Sequence, residues 1–402
     1  MNRPGDKEHG APATAHVIAT AQEAIAAAHE LAAIWRQSAV EIDAQRRIPV
    51  SELQALSRSG LLAITVPREF GGAGASTETL MEVFLILAAA DTSLAQVPQN
   101  HFDFVDTLLV AEPATRDFFY ARVLAGARFG NALAEPGRPS RRDIATTIAP
   151  EGNGYRLNGR KYFSTGALTA QWVPVFGKDA DGRILTAYIE RDNPGLDVLA
   201  DWDAFGQRGT YSGTTIINDV WVPAHQVVDR ARGDAAVLLA QFAGNQLIHA
   251  AIETAGAAGA LQAAARILSE HPAPHEADLA RLGEYAVRIR AARSLVLRAA
   301  RRADAVLAGD IPTVAAASEA FVATDEAKSL AYELSPAIAN EIAHFRSPVV
   351  NGERRGLDRL WRNVRTHSLH DPVRWRQFYV GDFHLNGNLP RDAAAIAQGG
   401  KR

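Results

Sequence analysis

The chain has 402 residues, 47% of them hydrophobic and 22% charged, a globular composition too long for one simple core, so two or three lobes are expected. Its net charge of -3 comes without a basic block of the kind that tracks a phosphate backbone, which argues against nucleic acid as a partner. It contains no cysteine, which excludes disulfides, thiolate nucleophiles and iron–sulfur clusters and suits a reducing cytoplasm.

Residues 1–13 are polar and charged, lack the apolar core of a signal segment, and read as a disordered tail. No run of eighteen apolar residues follows, so no membrane span is expected and a soluble cytoplasmic protein is. Ala15 to Arg46 is alanine-rich and free of Gly and Pro, which predicts a long helix. Ser51 opens a shorter helix that Gly60 ends. The Gly71, Gly72, Gly74 cluster superficially suggests a dinucleotide loop. Pro67 and a charged tripeptide separate it from any strand, so it reads instead as a loop into a helix starting near Ser76. Residues 77–90 are apolar on most faces, as in a helix buried in a bundle, and Asp91-Thr-Ser then supplies caps for the next segment. There His101 shares the face of Val105 and Leu108, so spacing alone reads it as a core histidine bonded to backbone.

The character changes near Arg128. Residues 128–230 are rich in Gly, Thr, Val, Ile and Tyr, and predict about a hundred residues of antiparallel sheet. Asn158-Gly159 reads as a two-residue hairpin turn, with further strands at Trp172–Phe176, Leu185–Glu190 and Thr214–Val222. From about Asp234 to Pro372 the chain is again helical, in four long stretches. One carries Tyr285, Ile289, Ala292, Val296, Ala299 and Leu307 on one stripe and solvated arginines elsewhere.

The last helical stretch ends in Trp361-Arg-Asn-Val-Arg-Thr-His367-Ser-Leu-His370-Asp371-Pro372. Continued helical spacing sets His367 and His370 on neighbouring positions of a last turn that Pro372 stops. A helix C-terminus and an adjacent carboxylate both favour protonated imidazole. By themselves these residues fit either a capped helix end or a site. A metal site on His367, His370 and Asp371 lacks any obvious further ligand in the sequence, so none is expected.

The order helices, sheet, helices resembles the acyl-CoA dehydrogenase fold. The motifs that carry the likeness are Val66-Pro-Arg-Glu-Phe-Gly-Gly-Ala-Gly, Leu157-Asn-Gly-Arg-Lys-Tyr-Phe-Ser-Thr-Gly-Ala and Asn218-Asp-Val-Trp-Val-Pro. The resemblance implies an α+β protein. Residues 14–127 form an N-terminal helical domain, 128–231 a middle antiparallel β-barrel or sandwich domain, and 232–402 a C-terminal four-helix bundle with an extended tail. Dehydrogenases of this fold keep a catalytic glutamate in a Tyr-Glu-Gly loop. That loop falls here on His370-Asp371-Pro372, and the preceding His-Gly-Gly segment is replaced by Phe345-Arg-Ser-Pro-Val-Val-Asn-Gly.

What these stretches resemble is the monooxygenase branch of the fold, the dibenzothiophene monooxygenases and, more closely, the SfnB-type oxidoreductases. The shared features are Pro98-Gln-Asn-His101-Phe, Phe129-Gly-Asn131-Ala, Ser164-Thr-Gly-Ala, Asp201-Trp-Asp-Ala-Phe-Gly-Gln-Arg, the Trp361 to Pro372 stretch and the tail Leu385-Asn-Gly-Asn-Leu-Pro. The resemblance implies reduced FMN, with FAD as the other choice, delivered by a separate flavin reductase. It further implies oxygen, a flavin C4a-hydroperoxide, and transfer of one oxygen atom to an organosulfur substrate in a homotetramer. Under it His370 manages the proton, Asp371 orients His370 or raises its pKa, and His101 is a second polar group facing the oxygen. Asn131 and Ser164 hold the flavin, Phe163, Thr165 and Trp202 line its ring, and His367 supports the loop. The alternative is an acyl-CoA dehydrogenase-type FAD enzyme with a displaced base.

Overall fold

A computed structural model describes residues 15–135, 137, 143–270, 275–341 and 356–397. The expected tail at 1–13 and the Phe345-to-Gly352 stretch lie outside the described residues. The N-terminal helices are α1 (Ala21–Gln45), α2 (Val50–Arg58), α3 (Thr77–Ala90), α4 (Thr92–Gln96), α5 (Gln99–Thr107) and α6 (Pro113–Leu124). Their ends are set by short polar side chains. Thr20 caps α1 by accepting from Glu23, Ser76 caps α3 by accepting from Thr79, and Asp91 both ends α3 and caps α4 by accepting from Leu94. Two single 3-10 turns, Leu61–Ala63 and Arg68–Phe70, fill the loop that carries the glycine cluster.

The middle region is one seven-stranded sheet: β1 (Thr147–Glu151), β2 (Gly154–Lys161), β3 (Trp172–Lys178), β4 (Ile184–Glu190), β5 (Leu196–Val198), β6 (Thr215–Pro223) and β7 (Val227–Val228). The spatial order is β5-β6-β2-β1-β3-β4-β7, with every pairing antiparallel except the short parallel one between β1 and β3. The hairpin expected at Asn158-Gly159 is not there. The turn joining β1 to β2 runs through Gly152, at φ 60°, and Asn158 and Gly159 lie inside β2 at a bulge against β6. The reason is packing: a Cβ on residue 159 would lie 2.3 Å from Thr146 Oγ1, so only glycine lets that segment approach. Asn158 Oδ1 meanwhile accepts from the Asp219 amide of β6 at 2.8 Å.

The C-terminal helices are α7 (Ala235–Ser269), α8 (Glu276–Leu307), α9 (Val314–Glu341), α10 (Leu357–His367), α11 (Val373–Asn386) and α12 (Arg391–Ala397). By length and composition α7 could cross a membrane, yet it is the buried centre of the bundle. The stripe on α8 is buried as expected through Tyr285, Ile289, Ala292, Val296 and Ala299, and leaves it at exposed Leu307, where Val306 takes the core position. Its arginines reach across the surface to Glu82, Glu326, Glu78 and Glu319. One apolar core runs from α1 and α3 through α7 to α9, so the two helical regions share an interior. Beside it, Phe119 of α6, Phe129, Trp172 of β3 and Tyr188 of β4 form an aromatic layer with Phe104 of α5.

Candidate active site

The centre of the site is a polar stripe on an otherwise apolar helix. Along α7, Gln241, Asn245, His249 and Glu253 recur every four residues and are all buried. Composition hides them in an alanine-rich segment, but that i, i+4 recurrence was a readable signal for a buried polar face. Glu253 Oε1 meets His367 Nδ1 at 2.7 Å, and His367 Nε2 meets both His249 Nδ1 at 3.1 Å and Gln96 Oε1 at 3.0 Å. Burial pushes the Glu253 carboxyl up, and His367 pulls the other way. Sequence reasoning missed His249, Glu253 and Gln96, and placed His367 only as a support.

The helix carrying the histidine pair ends sooner than its spacing predicts. α10 stops at His367, Ser368 is its C-cap, and His370 lies one turn beyond with its amide bonded to the His367 carbonyl at 3.0 Å. Pro372 does not merely stop a helix; it is the N-cap residue of α11. His370 is exposed at this corner, and its ring lies over His249 with centroids 4.4 Å apart and planes at 24°. The His367 ring is parallel to it within 10°, at 6.4 Å.

Asp371 belongs to a buried charged network of its own. Its Oδ2 accepts from Lys328 Nζ at 2.9 Å and Arg376 Nε at 2.8 Å, so its charge is already balanced. Burial works against ionisation, yet the two cations overcome it and hold the Asp371 carboxyl well below the usual carboxylate range. Lys328 is fully buried, bonded also to Gln246 Oε1 at 2.9 Å, and burial brings its ammonium down to about 8. Arg376 reaches on to Asp325 at 3.0 Å. This network fastens the His370 turn to α9 and α11. These contacts thus anchor the turn, a role the sequence did not suggest, and the orienting of His370 stays an implication of the resemblance.

His101 stands apart from this cluster. Its ring is wholly buried, with Nε2 on the Leu62 carbonyl at 2.9 Å and Nδ1 accepting from the Phe129 amide at 3.0 Å. Burial drives its pKa down to about 4, so the ring is neutral with its hydrogen on Nε2. Both nitrogens are committed to backbone, which fits the spacing-based reading as a core histidine and corrects the expectation of a polar group facing the oxygen.

The sheet-side residues do come together. The Asn131 amide donates to the Thr165 carbonyl at 3.1 Å, the Ser164 amide to the Gly213 carbonyl at 3.0 Å, and Thr165 Oγ1 pairs with Ser212 Oγ at 2.8 Å. Ser164 Oγ is buried with no hydrogen-bond partner among the described residues, which leaves one hydroxyl for a bound molecule. Next to it Phe163 holds a positive φ of 53° and is 59% exposed, edge-on to Trp202 at 6.2 Å. An unpartnered hydroxyl beside exposed aromatic surface fits a flat, polar-edged ring system such as a flavin. The Trp202 loop is tied to α10, since the Gln207 amide donates to Asn363 Oδ1 at 2.7 Å and Trp202 Nε1 to the Gln207 carbonyl at 2.9 Å. Among the described residues no group of three or more His, Asp or Glu side chains is placed to hold a metal ion.

Comparison with known proteins agrees with this architecture. Residues 19–126 match the acyl-CoA dehydrogenase N-terminal domain and residues 130–220 the acyl-CoA dehydrogenase middle domain. A dibenzothiophene monooxygenase of Rhodococcus erythropolis is 31% identical over 96% of this chain and 97% of its own. The chain belongs to the acyl-CoA dehydrogenase family, in its flavin monooxygenase branch. Within the family, the probable FMNH2-dependent monooxygenase SfnC of Pseudomonas putida is 29% identical over 91% of this chain and 96% of its own. The FMN-bound structure of TdsC from Paenibacillus sp. A11-2 superposes with a TM-score of 0.85 at 28% identity, covering 91% of this chain and 98% of that one. Methanesulfinate monooxygenase MsuC of Pseudomonas fluorescens gives 0.83 at 28% identity, covering 91% and 97%.

Proposed function

We propose that this chain is the oxygenase of a two-component system that uses reduced FMN and molecular oxygen to add one oxygen atom to an organosulfur compound. The observation that carries the reading is the His370 corner. Where an acyl-CoA dehydrogenase would need a free glutamate, this chain has an exposed imidazole beside an aspartate already neutralised by Lys328 and Arg376. A balanced carboxylate held far below its usual range is a poor base for a carbon acid, whereas imidazole can both donate and recover a proton near neutrality. The names of the relatives point the same way.

Reduced FMN, when bound, supplies the electrons that activate oxygen. Phe163 and Trp202 would shield its ring from water, Ser164 Oγ and Asn131 would hold its polar edge, and Thr165 is fixed by Ser212 beneath them. His370 would supply and take back the proton that oxygen-atom transfer requires. No nicotinamide fingerprint exists in the sequence, so a separate reductase is part of the reading. So is a homotetramer: α11 buries only Arg376 and leaves Trp375, Phe378 and Leu385 exposed, an apolar surface suited to another copy. A cytoplasmic location accords with a cysteine-free chain.

The test is incubation with FMN, a flavin reductase and labelled oxygen against a panel of sulfides, sulfoxides, sulfinates and sulfones, read by mass spectrometry. One labelled oxygen per product is expected. His370→Ala should release hydrogen peroxide in place of product while the chain stays folded. No labelled product, together with anaerobic bleaching of bound FAD by an acyl-CoA, would overturn the reading.

A further inference from the structure

The buried group behind His370 contains more proton-binding atoms than the proposed reaction uses. Glu253 and His249 come from one face of α7, Gln96 from the end of α4 and His367 from the end of α10. Tyr332 of α9 meets the His367 ring edge-on at 5.9 Å, and Arg365 of α10 acts on Glu253 electrostatically. The Asp371, Lys328 and Arg376 network is the charged neighbourhood on the other side of the His370 turn. Glu253 is wholly buried, as are His249 and His367 nearly so.

Hydrogen accounting restricts this cluster sharply. Two ring nitrogens 3.1 Å apart, His367 Nε2 and His249 Nδ1, can share only one hydrogen. If Glu253 and His367 together hold two protons, Nε2 donates and the hydrogen of His249 sits on its own Nε2. If they hold one, the Glu253 carboxylate fixes it on His367 Nδ1, and His249 must donate from Nδ1. Loss of one proton from the Glu253–His367 pair therefore reverses the tautomer of His249. Burial of Glu253 favours the two-proton, charge-neutral form. The Gln96 amide can turn to suit either arrangement.

The His249 ring in turn lies face to face with His370 at 4.4 Å. Two imidazolium rings at that spacing repel, while a neutral ring beneath a cationic one attracts it. We propose that Glu253, His367 and His249 hold one exchangeable proton in common and through it set the proton affinity of the stacked His370, which makes Glu253 and His249 positioning residues for the reaction. The inference rests on the reading of His370 as the proton donor, but its test needs no flavin.

The experiment is nitrogen-15 spectroscopy of histidine-labelled, flavin-free protein over about pH 5 to 9, with His370→Asn to assign that ring. Wild type, Glu253→Gln, His249→Phe and the double variant are compared as a cycle. In the wild type the hydrogen of His249 moves from Nε2 to Nδ1 as pH rises and the pair loses its proton; in Glu253→Gln, whose amide donates to His367 Nδ1 as the carboxylic acid does, it stays on Nε2, and the His370 titration midpoint shifts by about half a pH unit or more. In the His249→Phe background, which keeps a flat ring under His370, the same substitution no longer moves that midpoint. If Glu253→Gln fails to fold, Glu253→Asp withdraws the carboxylate by one methylene and must show the same coupling. A His249 spectrum with the same pH dependence in Glu253→Gln as in the wild type, together with an unchanged His370 midpoint, would overturn the proposal, as would a shift that persists in the His249→Phe background. Sulfur oxygenation by the wild type is measured separately: its absence would remove the oxygenase reading and leave the spectra to decide the proton chain.

Discussion

Replacing Asp371 by asparagine tests whether the His370 turn is held by buried charge. Asp371 is buried and bonded to Lys328 and Arg376, and Lys328 has no exposed surface at all. Removing the carboxylate leaves those cations with Asp325 as their remaining nearby anion, and breaking a buried pair from one side costs about 3–5 kcal/mol. Lys328 gives this cost a pH dependence. In the wild type its value falls from 10.5 to about 8 through burial and Arg376, with Asp371 opposing the fall. Without Asp371 it falls further, so at about pH 6.5 the folded variant either buries an unpaired ammonium or gives up a proton that the unfolded chain keeps. A lysine with a lowered folded value penalises folding at low pH, and the penalty fades as pH rises. Above about pH 8 Lys328 is neutral in both folded proteins, so the lysine share of the difference disappears and only the Arg376 share remains. Urea unfolding followed by circular dichroism at about pH 6.5 and 9 reads both shares. The Lys328→Met, Asp371→Asn double variant should recover much of the loss at the lower pH. An equal loss at both pH values, or none at the lower, would refute the account of the turn.

Two further outcomes separate structural from binding residues. His101 is held neutral at about 4 against an ordinary 6.5, so the unfolded chain binds the extra proton first and stability drops by about 3 kcal/mol between those values as pH falls. His101→Gln should flatten that slope in urea midpoints measured across the range, and an undiminished slope would assign it to other groups. Ser164→Ala removes a hydroxyl with no partner among the described residues, so the thermal midpoint should stay put while FMN affinity, read by fluorescence quenching, weakens about 5- to 10-fold. Unchanged affinity would take Ser164 out of the flavin site.

Local chemistry was legible where the chain decides its own structure. α3 stood between Ser76 and Asp91 because both side chains cap helices within three residues, a choice that needs no distant partner. Asn158-Gly159 misled for the converse reason: its turn propensity yields to Thr146, which fills the space a side chain at residue 159 would need. Spacing placed His101 on an apolar face and so anticipated its burial, but could not say that Leu62 and Phe129 would take both its nitrogens. The site posed the same difficulty in stronger form. His367, His370 and Asp371 were visible as a cluster, and their proximity in sequence suggested that they serve one another. In the fold each is claimed by a residue from elsewhere, His367 by Glu253, His370 by the ring of His249 and Asp371 by Lys328. Those claimants sit on α7 and α9, whose polar positions are spread thinly through alanine-rich helices. Such a residue costs free energy wherever it is buried unpaired, so each marks a position where a partner must arrive. Read that way, a glutamate and a histidine four apart on a long, buried, alanine-rich helix are stronger pointers to chemistry than the exposed histidine they stand behind.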